Sequence, residues 1–304
     1  MDTLSHIDAL NRRFGKKGLA EIVAGKGALP LLRINCQAGS AEIYLHGAHI
    51  TSWRPAGAEE VLFLSRLSEW APGKPIRGGI PICFPWFGEK ADDPSAPKHG
   101  FARLRQWRLD SLTPLDDGGV TLVCVLESDD ATRALWPHQF CTAYRITLGK
   151  TLRLELSVIN TGTDPLRFEE ALHTYFHVGE VKEISIPGLD LVRYLDKNDA
   201  YRQKQQDGDL RFDGPVDRVF LNTAGPVEVT DPVLHRRLRT EKLHSETTVV
   251  WNPWEQGAAG LSDFGDEEWH SMVCVEGSNV MHEALVLGPG EEHMLRVTLS
   301  VEPE

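Results

Sequence analysis

Short runs of aliphatic and β-branched residues recur along this chain, and clusters of Gly, Pro, Asn and Asp separate them. The clearest runs are residues 41–45, 119–126, 142–148, 152–158, 247–251, 272–275 and 294–301. Within 152–158 the side chains alternate strictly between apolar and polar, which is the period of a half-buried strand. The pattern therefore predicts many β-strands joined by turns.

Helical periodicity is confined to residues 3–14, the only fair helical candidate. Many strands with turns between them predict an all-β protein, built as a large antiparallel β-sandwich. A length of 304 residues fits one large domain or two ordinary ones, and no Pro-, Gly- or Ser-rich linker divides the chain. We therefore predict a single domain over residues 1–304, to which residues 1–40 contribute the weakest pattern.

Composition and charge restrict the partners of the chain. The formal net charge is −12, whereas nucleic acids and anionic membranes both require a basic face. Any anion site must therefore be local. Residues 1–4 lack a basic leader, and no segment approaches the ~20 apolar residues of a membrane helix, so we predict a cytoplasmic protein. The five cysteines are odd in number and widely spaced, which predicts buried, reduced thiols.

Two strand-like runs carry titratable side chains. His173 lies within residues 171–177, and Glu276 ends residues 272–276. An imidazole with a pKa of ~6.5 and a carboxylate with a pKa of ~4.3 form an acid/base couple, provided that the fold brings them to opposite sides of one substrate. The alternative for His173 is a core histidine whose ring is bonded to backbone.

His173 and His177 also raise the question of a metal site. Residues at positions i and i+4 of a strand share a face but lie about 13 Å apart, at ~3.3 Å per residue, which is too far for one ion. The run also lacks the Glu that follows the first His in the HExxH motif. We therefore predict no metal.

Three further segments carry polar side chains that could contact a ligand. Arg77 precedes two glycines, where backbone can approach a ligand and the guanidinium can grip phosphate oxygens, although an arginine at an ordinary turn is the alternative. His99 and Arg103 add an imidazole and a second fixed cation. Asp217 could accept sugar hydroxyls or pair with a neighbouring cation such as Arg218.

Aromatic residues cluster in the segment Trp-Asn-Pro-Trp at 251–254, which could form a stacking wall against a pyranose or fill the core. Three common motifs are missing: a GxGxxG before a helix, a Walker loop and a GxSxG elbow. The sequence therefore supports neither a nucleotide site nor a serine nucleophile.

In order, six motifs resemble those of the aldose 1-epimerase superfamily, in the branch that acts on hexose 6-phosphates. They are Arg-Gly-Gly-Ile-Pro, His-Gly-Phe-Ala-Arg, Leu-His-Thr-Tyr-Phe, Asp-Arg-Val, Val-Trp-Asn-Pro and Cys-Val-Glu, and the likeness runs from about residue 43 to residue 301. The resemblance implies a β-sandwich of the galactose mutarotase-like type, with a cleft on one sheet. It implies that His173 and Glu276 are the catalytic residues.

The same resemblance implies the binding roles. Asp217 and His99 match residues that hold the sugar, while Arg77 and Arg103 match arginines that distinguish phosphorylated from free sugars. The implied activity is interconversion of α and β anomers of hexose 6-phosphates, most directly glucose 6-phosphate. We expect Glu276 to act as base at O1 and His173 as acid at O5. We expect no cofactor, a small-molecule partner, and a monomer or weak dimer.

Three alternatives remain open at this point. A mutarotase for unphosphorylated aldoses differs in having no need for the Arg77 and Arg103 pair. A sugar-phosphate binding protein without turnover would not need both a proton donor and a proton acceptor. A glycoside hydrolase would need two carboxylates about 5–10 Å apart, a role into which Glu169 and Glu170 near His173 could be forced.

Overall fold

A computed structural model describes residues 3–304, so Met1 and Asp2, with which the predicted domain begins, lie outside the described residues. The predicted N-terminal helix is confirmed as α1 (Thr3–Phe14), and two short helices, α2 (Asp130–Leu135) and α3 (Trp254–Ala259), lie in connections. Short 3₁₀ turns occupy Lys26–Ala28, Ala102–Leu104, Lys197–Asp199, Glu268–Ser271 and Met281–Glu283. Over residues 3–304, no helix combines the length and the apolar character needed to cross a membrane.

Strands make up most of the regular structure. In chain order the first ten are β1 (Ala20–Ala24), β2 (Pro30–Cys36), β3 (Gly39–Tyr44), β4 (His49–Pro55), β5 (Ile82–Cys83), β6 (Arg108–Pro114), β7 (Val120–Glu127), β8 (Phe140–Leu148), β9 (Leu152–Asn160) and β10 (Leu166–Phe168). They are followed by β11 (Glu170–Leu172), β12 (Tyr175–His177), β13 (Arg193–Asp196), β14 (Arg202–Gln205), β15 (Val216–Leu221), β16 (Val227–Asp231), β17 (Arg236–Leu243), β18 (Thr247–Asn252), β19 (Met272–Asn279), β20 (Leu285–Leu287) and β21 (Glu292–Pro303).

Two large sheets form the body of the protein. The seven-stranded sheet has the order β16-β17-β21-β9-β8-β7-β6, and the eight-stranded sheet has the order β14-β13-β15-β18-β19-β11-β5, with β12 also paired to β19. A four-stranded sheet, β1 to β4, and the pair β10 and β20 complete the described strands. Neighbouring strands run antiparallel in both large sheets, so the predicted all-β antiparallel architecture is confirmed.

The seven-stranded sheet follows directly from the alternating sequence pattern. In β9, buried side chains alternate with less buried ones from Leu152 to Asn160, and β7 shows the same period. The buried set belongs to the main hydrophobic core, which also includes residues of the eight-stranded sheet. A Cβ atom added to Gly277 of β19 would lie 2.5 Å from Cγ2 of Val297 on β21, so the two sheets touch at this glycine.

In the eight-stranded sheet, β19 is covered on both faces, since all eight of its residues are buried. This explains why residues 272–276 read as a nearly continuous apolar run rather than an alternating one. A carboxylate in the middle of such a strand is exceptional, because burial of an unpaired charge is costly.

The cysteines are all free thiols. Cys83, Cys124 and Cys274 are buried, as predicted, whereas Cys36 and Cys141 are only partly buried.

Candidate active site

A break in strand pairing brings His173 beside Glu276. Leu172 at the end of β11 pairs with Gly277, and Tyr175 at the start of β12 pairs with Cys274, so His173 lies opposite Glu276 and Thr174 opposite Val275. The backbone amide of His173 donates to the carbonyl of Pro81, 3.0 Å away. The imidazole is therefore held at a gap in the sheet rather than within a regular strand.

The two side chains lie next to each other in a buried place. Nε2 of His173 is 3.4 Å from Oε1 of Glu276, and the two side chains are only 8% and 1% exposed. Within residues 3–304, neither carboxylate oxygen of Glu276 nor Nδ1 of His173 has a hydrogen-bond partner. Because buried polar groups are nearly always paired, these atoms indicate a place where a ligand makes the missing bonds.

This arrangement corrects one expectation. The sequence analysis places the two groups on opposite sides of the substrate, but a separation of 3.4 Å leaves no room for a sugar between them. The expectation was wrong because it assumed two distant target atoms. The anomeric oxygen and the ring oxygen of a pyranose are both bonded to C1, so two neighbouring groups can reach both from one side.

The surroundings change the proton affinity of both groups. Burial lowers the pKa of His173 well below its ordinary value, and Arg103, Arg77 and Lys197 lower it further. Burial raises the pKa of Glu276 well above its ordinary value, although Lys197 opposes this shift. Both shifts favour the form of the couple in which the carboxyl group holds a proton and the imidazole is neutral.

Aromatic rings fix the orientation of His173. The ring of Tyr175 stacks nearly parallel to it at 4.7 Å, and Trp251 of β18 meets it edge-on at 6.1 Å. Of the two tryptophans predicted to stack on a pyranose, only Trp251 lies beside His173. Trp254 packs instead on Trp269 at 4.4 Å, and the amide of Asn252 donates to the backbone carbonyl of Trp269.

His99 is held beside His173 in a defined tautomer. Its backbone has a positive φ of 62° and its ring lies 5.6 Å from that of His173. The amide of Gly88 donates to Nδ1 at 3.4 Å, and Sγ of Cys83 lies at the same distance. Burial lowers the pKa of His99 well below its ordinary value, so the ring is neutral with its proton on Nε2. His99 can therefore donate a hydrogen bond to a ligand.

Arg77 lies in the same cluster, but protein groups occupy its guanidinium. Nε and Nη2 donate to Oδ1 of Asp263 at 3.2 and 3.1 Å, and Nη1 donates to the hydroxyl of Tyr175 at 3.1 Å. Each guanidinium nitrogen thus has a partner in the protein. Its predicted contact with phosphate stays a prediction, and its observed contacts brace the ring that stacks on His173.

Arg103 is buried next to Arg77 and has fewer partners. The residue is 9% exposed, Nη2 donates to the carbonyl of Lys98 at 2.7 Å, and Nε has no hydrogen-bond partner among residues 3–304. Burial lowers its pKa, against the opposing influence of Cys83 and Tyr175. Arg103 therefore has more unpaired donors than Arg77, which uses three of its five N–H groups.

Asp217 pairs with a cation that the sequence analysis did not identify. Its Oδ2 lies 3.0 Å from Nζ of Lys197, whereas Arg218 donates to Oε1 of Gln206 at 2.8 Å. Oδ1 of Asp217 is buried and has no hydrogen-bond partner in the described chain. Burial raises the pKa of Asp217, and Lys197 opposes the shift. One carboxylate oxygen is thus left for a sugar hydroxyl.

An open cleft of about 780 Å³ leads to this cluster. Its lining includes Phe87, Gly88, Lys98, His99, Lys197 and Tyr201. His99 and Lys197 belong both to the cleft and to the buried group, so the cleft gives solvent a route toward the couple. A larger cavity of about 1140 Å³ lies among turns of the seven-stranded sheet and contains none of the six predicted residues.

His177 has no contact with this cluster. Its Nδ1 donates to the carbonyl of Ser271 at 3.2 Å. In the chain from residue 3 onward, no group of three or more His, Cys, Asp or Glu side chains is placed to hold a metal ion.

Glu169 and Glu170 are occupied elsewhere. Glu170 is fully buried and contacts Nε2 of His293 at 2.8 Å, while Glu169 accepts from the backbone amides of Phe87 and Met281 at 2.9 and 2.7 Å. Both carboxylates therefore fix the fold. This disfavours the glycoside hydrolase alternative.

Sequence reasoning missed three residues of the cluster: Tyr175, Lys197 and Asp263. Tyr175 belongs to a motif that carried the resemblance, so its signal was available. Lys197 and Asp263 lie in turns, where no periodic pattern marks a functional side chain. Only the folded chain shows that they meet Asp217 and Arg77.

Similarity to known proteins extends over most of the chain. The family model described as aldose 1-epimerase matches residues 30–300. A protein of Salmonella typhimurium, provisionally named glucose-6-phosphate 1-epimerase, is 38% identical over 249 residues, which are 82% of either chain. A crystal structure of a provisionally named mutarotase, also from Salmonella typhimurium, superposes with a TM-score of 0.89 at 32% identity over 100% of both chains.

A more distant structure supports the fold alone. The galactose mutarotase related enzyme of Lactobacillus acidophilus reaches a TM-score of 0.73 at 15% identity, covering 90% of this chain and 97% of that one. The galactose mutarotase-like sandwich implied by the motifs is thus confirmed. With a family model matching most of its length and a close relative at 38% identity, this chain belongs to the aldose 1-epimerase family.

Proposed function

We propose that the protein interconverts the α and β anomers of hexose 6-phosphates, with glucose 6-phosphate as the leading substrate. The observation that carries this proposal is the buried couple of His173 and Glu276, whose polar atoms lack partners and which lies beside three cations. Two of these cations pair with carboxylates of the protein, Arg77 with Asp263 and Lys197 with Asp217, so Arg103 carries the excess positive charge that favours an anionic ligand.

The chemistry requires the transfer of two protons at neighbouring atoms. Opening the ring removes the proton from the O1 hydroxyl, breaks the C1–O5 bond, forms the C1=O1 double bond and protonates O5. Rotation about C1–C2 and reclosure by the reverse transfers give the other anomer. Glu276 acts as base at O1 and His173 as acid at O5, with the roles exchanged on closure.

Bound phosphate prepares the couple for this step. Burial and the nearby cations lower the pKa of His173, while burial raises that of Glu276, so both shifts favour the form with the proton on Glu276. A phosphate that neutralises these cations raises the pKa of His173 and moves the proton from the carboxyl to the imidazole. The ion-pair form is the one in which Glu276 can accept from O1 while His173 donates to O5.

The remaining groups would position the sugar. Oδ1 of Asp217 can accept from a hydroxyl, and Nε2 of His99 can donate to an oxygen. Arg103 has a free donor for an anionic group, and Arg77 orients Tyr175 and through it His173. A cytoplasmic location, the monomeric or weakly dimeric state and the independence of a cofactor stay predictions.

A second candidate is mutarotation of unphosphorylated aldoses. One observation favours it. Each guanidinium nitrogen of Arg77 donates a hydrogen bond to Asp263 or Tyr175, and Arg77 is one of the two arginines expected to recognise phosphate. The same couple would then act on a neutral ring.

The experiment that tests the proposal follows anomerisation of pure α-glucose 6-phosphate and of α-glucose by polarimetry or NMR exchange. We expect kcat/KM for the phosphorylated sugar to exceed that for glucose by at least tenfold. A preference for glucose would establish the second candidate. Rates equal to the uncatalysed reaction for both sugars would overturn the assignment of turnover.

A further inference from the structure

Glu169 is a carboxylate of the cleft that the catalytic couple does not use. It is the single residue between β10 and β11, and it lines the 780 Å³ cleft. Oε2 accepts from the backbone amide of Phe87 at 2.9 Å, and Oε1 accepts from that of Met281 at 2.7 Å. The amide of Glu169 itself donates to the carbonyl of Pro85 at 2.9 Å. Glu169 therefore ties residues 85–87 to the turn at Met281.

The segment held by Glu169 contacts His99 in three ways. The ring of Phe87 meets the imidazole edge-on at 4.7 Å. The amide of His99 donates to the carbonyl of Gly88 at 2.7 Å, and the amide of Gly88 donates to Nδ1 of His99 at 3.4 Å. His99 has a positive φ of 62°, a strained conformation that needs support from its surroundings. Through Phe87 and Gly88, Glu169 thus supports both the backbone and the ring of His99.

The place of the proton on His99 depends on one of these contacts. Two groups lie 3.4 Å from Nδ1, the amide of Gly88 and Sγ of Cys83. A thiol can donate or accept, so Cys83 fits either tautomer of the imidazole, whereas a backbone amide can only donate. Gly88 therefore keeps Nδ1 an acceptor and leaves the proton on Nε2. Displacement of Gly88 would remove this restriction.

We propose that Glu169 is a positioning residue, which holds residues 85–88 so that His99 presents an Nε2–H donor to the sugar. The inference rests on the proposed function and deepens it, because it identifies the group that prepares His99 for the substrate. A carboxylate suits this role, since its two oxygens accept from two backbone amides at once. An amide side chain has one oxygen only, so Glu169→Gln keeps one contact, and Glu169→Met keeps neither.

The test determines the tautomer of His99 by long-range ¹H–¹⁵N correlation NMR at pH ~8, well above the ordinary histidine pKa of ~6.5. The signals of His99 are those that His99→Asn removes, and Asn is chosen because it tolerates a positive φ. In the wild type, Nδ1 should show the shift of an unprotonated nitrogen and Nε2 that of a protonated one. In Glu169→Met the two shifts should move toward each other, because both tautomers are then populated. Glu169→Gln should lie between the two proteins.

The same variants are assayed for kcat/KM on α-glucose 6-phosphate. Weakening one hydrogen bond to the sugar should lower kcat/KM about tenfold in Glu169→Met. Because Glu169 acts through His99, the double variant Glu169→Met with His99→Asn should lose no more than His99→Asn alone.

Glu170→Gln is the matched control, since it changes the neighbouring carboxylate. Oε1 of Glu170 contacts Nε2 of His293 at 2.8 Å and Nδ2 of Asn279 at 2.9 Å, and Glu170 has no contact with residues 85–88 within the described chain. Glu170→Gln should therefore lower the melting temperature and leave the tautomer of His99 unchanged.

The outcomes distinguish this inference from the proposed function. If the wild type does not accelerate anomerisation of α-glucose 6-phosphate, the proposed function fails, while the NMR comparison still decides the role of Glu169. A tautomer of His99 in Glu169→Met equal to that in the wild type overturns the inference. Losses of kcat/KM that multiply in the double variant also overturn it, since Glu169 would then act apart from His99. Should Glu169→Met not fold, Glu169→Asp serves, because its carboxylate is drawn back by ~1.5 Å from both amides, and an unchanged tautomer in that variant contradicts the inference.

Discussion

The two large sheets use burial in opposite ways. In the seven-stranded sheet, strands such as β9 bury alternate residues and leave the others partly open, so polar side chains remain hydrated. In the eight-stranded sheet, β19 is buried along its whole length and still contains Glu276. The comparison teaches that the seven-stranded sheet supports the structure, whereas the eight-stranded sheet keeps water away from the titratable side chains of the site.

This division has a physical consequence for the site. Burial raises the pKa of Glu276 and lowers that of His173, and neither shift would arise on a half-open sheet. Changes in the seven-stranded sheet should therefore affect stability, whereas polar changes in the eight-stranded sheet should affect rate. The following predictions test that separation.

The largest expected effect is on rate, from Glu276→Gln. The variant keeps the shape of the side chain but cannot accept the O1 proton, so anomerisation should slow by about 10²–10⁴, equivalent to about 3–5 kcal/mol in the barrier. Polarimetry measures the rate, and the melting temperature should stay near that of the wild type. His173→Asn is the matched variant. A Glu276→Gln protein as fast as the wild type would remove the carboxylate from the mechanism.

The next effect is on stability, from Leu154→Ala in β9. Leu154 is fully buried in the seven-stranded sheet, so truncation should lower the free energy of unfolding by about 2–5 kcal/mol. Urea denaturation measures this loss. Because no group of the site changes, kcat/KM should stay within about twofold well below the melting temperature. A large loss of kcat/KM with unchanged stability would contradict the division between the sheets.

A smaller effect is expected where the sheets touch. Gly277→Ala would place a Cβ atom 2.5 Å from Cγ2 of Val297, and overpacking of this kind costs about 1–3 kcal/mol. The double variant Gly277→Ala with Val297→Ala removes the clash, so thermal denaturation should show a smaller loss than the sum of the two single variants. Additive losses would mean that the two residues do not meet.

The smallest effect is a dependence of stability on acid pH. Burial lowers the pKa of His49 to about 3, and its Nε2 donates to the carbonyl of Gly78, one residue from Arg77. The unfolded chain, with a pKa of ~6.5, binds more protons, so stability is complete above pH ~6.5 and is lost as the pH falls toward 3. At pH ~5.5 the loss from His49 is about 1.4 kcal/mol. Urea denaturation at several pH values should show a smaller slope for His49→Gln, and an unchanged slope would exclude His49 as the cause.

The sequence predicted the regular parts of the fold and the chemical identity of the couple. The strict alternation of residues 152–158 marks β9, and the apolar run 272–275 marks β19. The three-residue strands β11 and β12 are too short for any period to show, although the gap between them orients His173. A periodic pattern of apolar residues reveals only regular strands, and the gap between β11 and β12 interrupts the strand.

The partners of Asp217 and Arg77 could not be predicted from the sequence, for a different reason. Lys197 and Asp263 lie in turns, and their roles arise from contacts with Asp217 and Arg77 that are made only after folding. The sequence motifs identified which side chains carry charge. They could not show that Arg77 donates to Asp263 and Tyr175, or that Lys197 pairs with Asp217.

The central claim is that His173 and Glu276 act as one acid/base couple. A double-mutant cycle of His173→Asn and Glu276→Gln, assayed by the anomerisation rate of α-glucose 6-phosphate, tests it most directly. If the two groups act as a unit, the double variant loses about as much as either single variant. Losses that multiply in the double variant would show two independent groups and contradict the account.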